Sequence, residues 1–222
     1  MPGAATIARR DAEKTADGQS ARASSETDKR RQILEGARVV FMAAGFDGAS
    51  MGEIAKAAGV SKGTLYVYFD SKEALFEALT IEEKRGLAEA LFDLDPNDAD
   101  LGGVLTRLGR IYLTELSRPR HIQIVRMVIG ATEKFPHLGR AFYEAGPACG
   151  IGRLTQYLDG QVAAGRVVAA DTELAAKHFM HLCQAGLLTR LLFAGGTVTE
   201  AEIDHRVGEA VRVFLAGYGA KV

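Results

Sequence analysis

The sequence predicts an all-α chain, with a three-helix helix-turn-helix domain at the N-terminus and a larger helical domain after it. Three observations carry this. Apolar residues recur at spacings of three and four from Asp28 onward. No segment alternates with period two for long. Gly, Ser and Pro break the chain at intervals that suit helix ends rather than hairpins.

With 222 residues, of which 47% are hydrophobic and 25% charged, the chain has the composition of an ordinary soluble protein of one large or two modest domains. Its formal net charge is −1, so contact with nucleic acid requires a local patch rather than a generally basic surface. Cys149 and Cys183 are too few and too scattered for a disulfide framework or a zinc site, and no cofactor or metal is expected. No run approaches the ~18 apolar residues of a membrane span, and the start lacks the apolar core of a secretory signal. A cytoplasmic protein with no membrane partner is expected.

Residues 1–27 are rich in Ala, Ser, Thr, Gly and mixed charge, and Ile7 is the one large aliphatic residue after Met1. Such a composition does not repay the entropy of ordering, so a disordered arm is expected there. Its Arg9, Arg10, Lys14 and Arg22 either graze phosphates or stay solvated. The helix-turn-helix domain is then expected over residues 28–74. In its first helix Ile33, Leu34, Ala37, Val40, Phe41 and Ala44 form an apolar stripe that Gly45 ends. Ser50 with Glu53 three residues on is a capping box for a short second helix, whose apolar face is Met51, Ile54, Ala55 and Ala58. Gly59 suits the left-handed residue of a tight turn, and Ser61 caps the third helix. Helix, three-residue turn and helix make the helix-turn-helix layout.

On a wheel of about 100° per residue, Leu65 and Phe69 share the buried side of the third helix. Gly63, Thr64 and Val67 fall on the far side, with Tyr66 and Tyr68 on the flanks. That far face is small enough to enter a major groove and polar enough to hydrogen-bond there. Phenolic hydroxyls at its rim can hold phosphates; the alternative for both tyrosines is to wedge between helices. Ser71 caps a long helix with apolar Ala74, Leu75, Ala78, Leu79 and Leu87. Lys72 beside its N-terminal amides suits one more phosphate, or else balances Asp70 and Glu73 on the surface.

Residues 30–79, with the AAGF turn, IAKAAGVSKGTLYVYF and SKEALF, resemble the DNA-binding domain of TetR/AcrR-type transcriptional regulators. Ser50 stands where that family often has threonine. The resemblance implies phosphate contacts from Ser50, Tyr68 and Lys72 and groove contacts from Lys62, Gly63, Thr64 and Tyr66. Val67 occupies a variable position and is a candidate specificity residue.

The remaining residues, 75–222, read as helices, bent or interrupted at Gly146-Pro147. The stretch from Arg120 to Gly146 also resembles the C-terminal domain of the AefR-like branch. In such proteins this half is a helical regulatory domain that encloses a ligand and supplies the dimer interface. Met127, Phe135, Phe142, Tyr143, His178 and Phe179 are candidate lining for an apolar effector, with Arg126 or His181 as polar anchors. The alternative is that these side chains are core. Cys149 or Cys183 senses oxidants if a nearby cation stabilises its thiolate, or else packs as a small hydrophobe.

Residues 174–195 are apolar around nearly all of their circumference, and Ile203, Val207, Ala210, Val211, Phe214 and Tyr218 form a second stripe. Both could meet their mates at a two-fold axis, with Ala185 and Gly186 allowing close helix approach; a single buried core helix is the alternative. The expected function is a ligand-responsive repressor, a homodimer on a palindromic operator in double-stranded DNA, released by a small, largely apolar effector. Transcriptional activation, or nucleoid-associated scaffolding without an inducer, is the alternative. An enzyme would need a glycine-rich phosphate loop or converging acid–base groups, and neither is found.

Overall fold

The computed structural model describes residues 4–91, 94, 95 and 98–220, with side chains for residues 26–83, 94, 95 and 98–220. The chain divides into two compact units, Met1–Leu79 and Thr80–Val222. Among the described residues there are helices but no strand, only an isolated bridge between Val167 and Gly219. No helix among them is long and apolar enough to cross a membrane.

The first unit is built from α1 (Ala4–Gly48), α2 (Met51–Ala57), α3 (Lys62–Tyr68) and the start of α4 (Lys72–Leu91). Residues 4–27, expected to lack structure, have helical backbone. The physical reason is propagation: once the packed part of α1 is nucleated, each added residue needs only one further bond, and Ala, Arg, Glu and Lys extend a helix readily. The arm's basic side chains lie outside the described ones, as does Leu87. Gly45 interrupts α1 with φ 72 and ψ 176, where a side chain would be strained. Ile33, Leu34, Ala37 and Phe41 are buried as the stripe requires, while Ala44, beside the break, is exposed.

Three glycine and polar details fix how α1 holds α2. Gly36 lets the helices touch, since a Cβ there would lie 2.5 Å from the Ala58 backbone nitrogen. Gln32 Nε2 donates to the Ala58 carbonyl at 2.6 Å, satisfying an acceptor at the end of α2. Gly59 follows in the left-handed region, φ 63, and turns the chain into α3.

The second unit holds the rest of α4, then α5 (Leu101–Leu116), α6 (Pro119–Thr132) and α7 (Pro136–Tyr143). A π-helical turn, Glu144–Ala148, contains Pro147 and leads into α8 (Cys149–Ala163). The wider turn accommodates the proline's missing N–H. After α8 come α9 (Thr172–Gln184), α10 (Leu187–Phe193) and α11 (Glu200–Tyr218). Leu105, Leu108, Leu154, Tyr157, Phe179, Cys183, Leu187, Val207 and Phe214 are at the centre of its core. Gly109 is part of that packing, since a Cβ there would come 3.0 Å from Val207 and 3.3 Å from Cys183 Sγ.

The apolar stretch 174–195 is two helices rather than one. Ala185 (φ 33) and Gly186 (φ 81) are both left-handed and separate α9 from α10. The pair thus makes a break between two helices within the chain. Arg206 Nη1 donates to the carbonyls of Gln184 and Ala185 at 3.2 and 3.3 Å, closing the end of α9.

Candidate nucleic-acid interface

Ser50 N-caps α2 through the capping box its sequence predicts: Glu53 N donates to Ser50 Oγ at 3.2 Å, and Ser50 N donates to Glu53 Oε2 at 3.1 Å. The Ser50 hydroxyl also donates to Glu53 Oε2 at 2.7 Å, so a phosphate at this serine would replace Glu53 as acceptor. Ser61 caps α3 by accepting from Thr64 N at 3.0 Å, and the Ser61 and Thr64 hydroxyls lie 2.8 Å apart. One hydroxyl donates to the other, which leaves the pair one proton for an outside acceptor.

Leu65 and Phe69 are buried, and they turn the opposite side of α3 outward. Val67 is 80% exposed and Tyr66 50%; Lys62 and Gly63 are exposed, and Thr64 and Tyr68 partly buried. The phenols of Tyr66 and Tyr68 make no hydrogen bond to the protein among the described residues. The Tyr66 ring is half covered by the protein and half open to solvent. Gly63 is helical with room beside it: an added Cβ would meet its first heavy neighbour, Ser61 Oγ, at 3.7 Å. Lys62 lies across Gly52, where a Cβ would come 2.9 Å from its Cε. Lys62, Gly63, Thr64, Tyr66 and Val67 thus share one open surface.

Lys72 departs from the expectation. Its ammonium donates to the carbonyls of Phe46 at 2.8 Å, Ala49 at 3.1 Å and, more weakly, Asp47 at 3.4 Å. It also sits 4.6 Å from the centroid of the Phe46 ring. It pairs with neither Asp70 nor Glu73, and Ser71 alone caps α4, accepting from Ala74 N at 3.1 Å.

Among the described residues, the candidate effector side chains take separate places. Phe179 is core, edge-on to Phe214. Arg126 binds the carbonyls of Leu191 and Leu192 at 2.9 and 2.7 Å, closing the end of α10. His178 Nδ1 is 2.6 Å from the Tyr218 hydroxyl, and His181 is exposed. Tyr143, 53% exposed, lines an open groove with Ala148, Ile151, Thr155, Glu173 and Lys177. Met127, Phe135 and Phe142 are half-buried on α6, before α7 and on α7. Burial pushes the Cys183 thiol up to about 12, which removes it as a thiolate sensor.

A capped helix-turn-helix whose second helix presents small, polar and phenolic side chains to solvent defines a DNA-binding regulator. Residues 33–79 match the family described as bacterial regulatory proteins, tetR family. Residues 103–220, more than half of the chain, match the AefR-like transcriptional repressor, C-terminal domain. The chain belongs to the TetR family. Over 65 residues it is 40% identical to the HTH-type transcriptional repressor AcnR of Corynebacterium glutamicum, a stretch that is 29% of this chain and 35% of AcnR. The chain therefore spans about a third of the length of such curated relatives. Across whole chains it resembles the crystal structure of a TetR-family regulator from Mesorhizobium loti, with a TM-score of 0.82 and 28% identity, covering 87% of this chain and 98% of that one. It is also similar to the flavonoid-responsive regulator FrrA, with a TM-score of 0.77 and 33% identity over 88% of this chain and all of FrrA.

Proposed function

We propose that this regulator is a repressor that binds a palindromic operator as a homodimer and leaves it when a small, largely apolar effector binds. The supporting observation is the outer face of α3, where Val67 is 80% exposed and Gly63 leaves open space beside it, as a helix entering a groove would require. Thr64, Tyr66 and Lys62 supply hydrogen bonds to base edges, Val67 selects by apolar contact, and Tyr68 and Ser50 meet phosphates. A dimer would set two α3 helices in successive major grooves, about 34–36 Å apart. An effector lowers operator affinity only by its preference for the conformation that does not fit this spacing.

FrrA supports the effector class: it is similar along its whole length, and its name describes it as flavonoid-responsive. A flavonoid is therefore the first probe. The test sets purified protein against duplex from its own gene's upstream region and random duplex at moderate salt, then adds the probe. Preference for the upstream duplex, relieved by the flavonoid, is expected. Equal affinity for the two duplexes would overturn the reading, because phosphate contacts alone bind any sequence.

A further inference from the structure

Lys72 bears on how the DNA-binding surface is aimed. Its three protons converge on carbonyls 46, 47 and 49, in the segment between the Gly45 break and Ser50. Those carbonyls belong to the last residues of α1 after the Gly45 break and to the turn that leads to α2. The same segment buries Phe46, whose ring is 6.0 Å from Phe41 and 5.0 Å from Phe76. Phe76 stands one turn beyond Lys72 on α4, so two side chains of one helix face hold Phe46, one through its ring and one through ring and carbonyl. The held segment ends at the N-cap of α2, the first helix of the helix-turn-helix.

We propose that Lys72 is a positioning residue for DNA recognition: it locks the N-terminus of α4 to the α1–α2 turn and so fixes the orientation of α2 and α3, without itself neutralising a phosphate. An ammonium has three donors, and all three are directed into the protein. This rests on the DNA-binding reading of the first unit.

The test is the salt dependence of binding to a duplex that the wild-type protein enriches from a random pool. Each neutralised phosphate contributes a slope of about −0.9 in log affinity against log salt. For Lys72→Met, the expected result is affinity lower by about ten-fold at every salt concentration, the weight of one charge-assisted hydrogen bond, with a line parallel to wild type. Circular dichroism at the binding temperature establishes that the variant is folded; should it melt, Lys72→Gln, which keeps two donors, takes its place. A slope shallower by about 0.9 would overturn the proposal in favour of a phosphate contact. Coincident lines would also overturn it, since a lysine of purely local structural use leaves affinity unmoved. If the wild type enriches no sequence at all, the DNA-binding reading fails instead.

Discussion

Packing among the described residues gives Gly63 no reason to be glycine, and the proposed approach to a groove floor supplies one. Gly63 is helical and has room for a methyl group, yet glycine in a helix costs up to about 1 kcal/mol relative to alanine. Gly63→Ala is therefore expected to raise the melting temperature slightly while lowering operator affinity at least ten-fold, because the new Cβ holds α3 off the groove floor. Unchanged affinity would remove the close approach. The cysteines give a second residue-scale contrast. Cys183 is fully buried against Gly109 with its thiol pushed up to about 12 by burial, whereas Cys149 is partly exposed. Folded protein at neutral pH is expected to take one equivalent of iodoacetamide, at Cys149, and the second only on unfolding; early labelling of Cys183 by mass spectrometry would contradict this.

Between α9 and α10 an element boundary is made by strain and closed by charge. Ala185 at φ 33 is the one non-glycine with positive φ among the described residues, a conformation that costs alanine roughly 1–2 kcal/mol. Ala185→Gly is expected to stabilise the chain by about 0.5–1 kcal/mol after allowing for the greater unfolded-state entropy of glycine, measured by urea unfolding. The closing charges are Arg206, on the carbonyls of Gln184 and Ala185, and Glu202, which accepts from Arg206 Nε at 2.9 Å and from Arg190 at 2.9 and 3.0 Å. Burial opposes ionisation of Glu202, but the two guanidiniums outweigh it and hold its carboxyl below the ordinary value of 4.5. A carboxylate with depressed pKa stabilises fully above its unfolded value and loses that contribution as pH falls through the folded one. The melting-temperature gap between wild type and Glu202→Gln is therefore expected to be widest near neutral pH and to close below pH 4.5; a gap constant with pH would exclude the ion pairs as its cause. None of this closure is legible in the sequence. Capping boxes and apolar stripes are local, so Ser50, Glu53, Leu65 and Phe69 declare their roles by spacing. Arg206, Arg126 and Lys72 act on carbonyls 21 to 66 residues away, and a cation's partner at that separation has no signature in composition or period. Ala185-Gly186 is an intermediate case: the small pair is visible, but whether it serves a turn or a close approach depends on φ.

At the scale of the whole molecule, the proposed two-fold partner must cover a face that the second unit leaves open. Leu174 and Val213 are 45% and 42% exposed, on α9 and α11 respectively, and Phe193 at the end of α10 is 86% exposed. Exposed apolar side chains taken singly are ordinary, so they do not decide the matter. Gly208 sharpens it: exposed in the middle of α11, it has nothing within 4 Å of an added Cβ. As at Gly63, glycine there weakens a helix by about 1 kcal/mol with no internal gain, and a partner helix packed closely across it would supply the gain. Gly208→Ala and Gly208→Phe separate the two effects. Alanine should raise the stability of the isolated chain, since it restores helix propensity in open space. Phenylalanine should leave the fold intact by circular dichroism but move sedimentation from dimer toward monomer and lower operator affinity together, because a single half-site keeps only half of the contacts. If Gly208→Phe remains as dimeric as wild type, the partner does not cross α11 at this point, and the exposed apolar residues of α9 and α10 alone would have to define the contact.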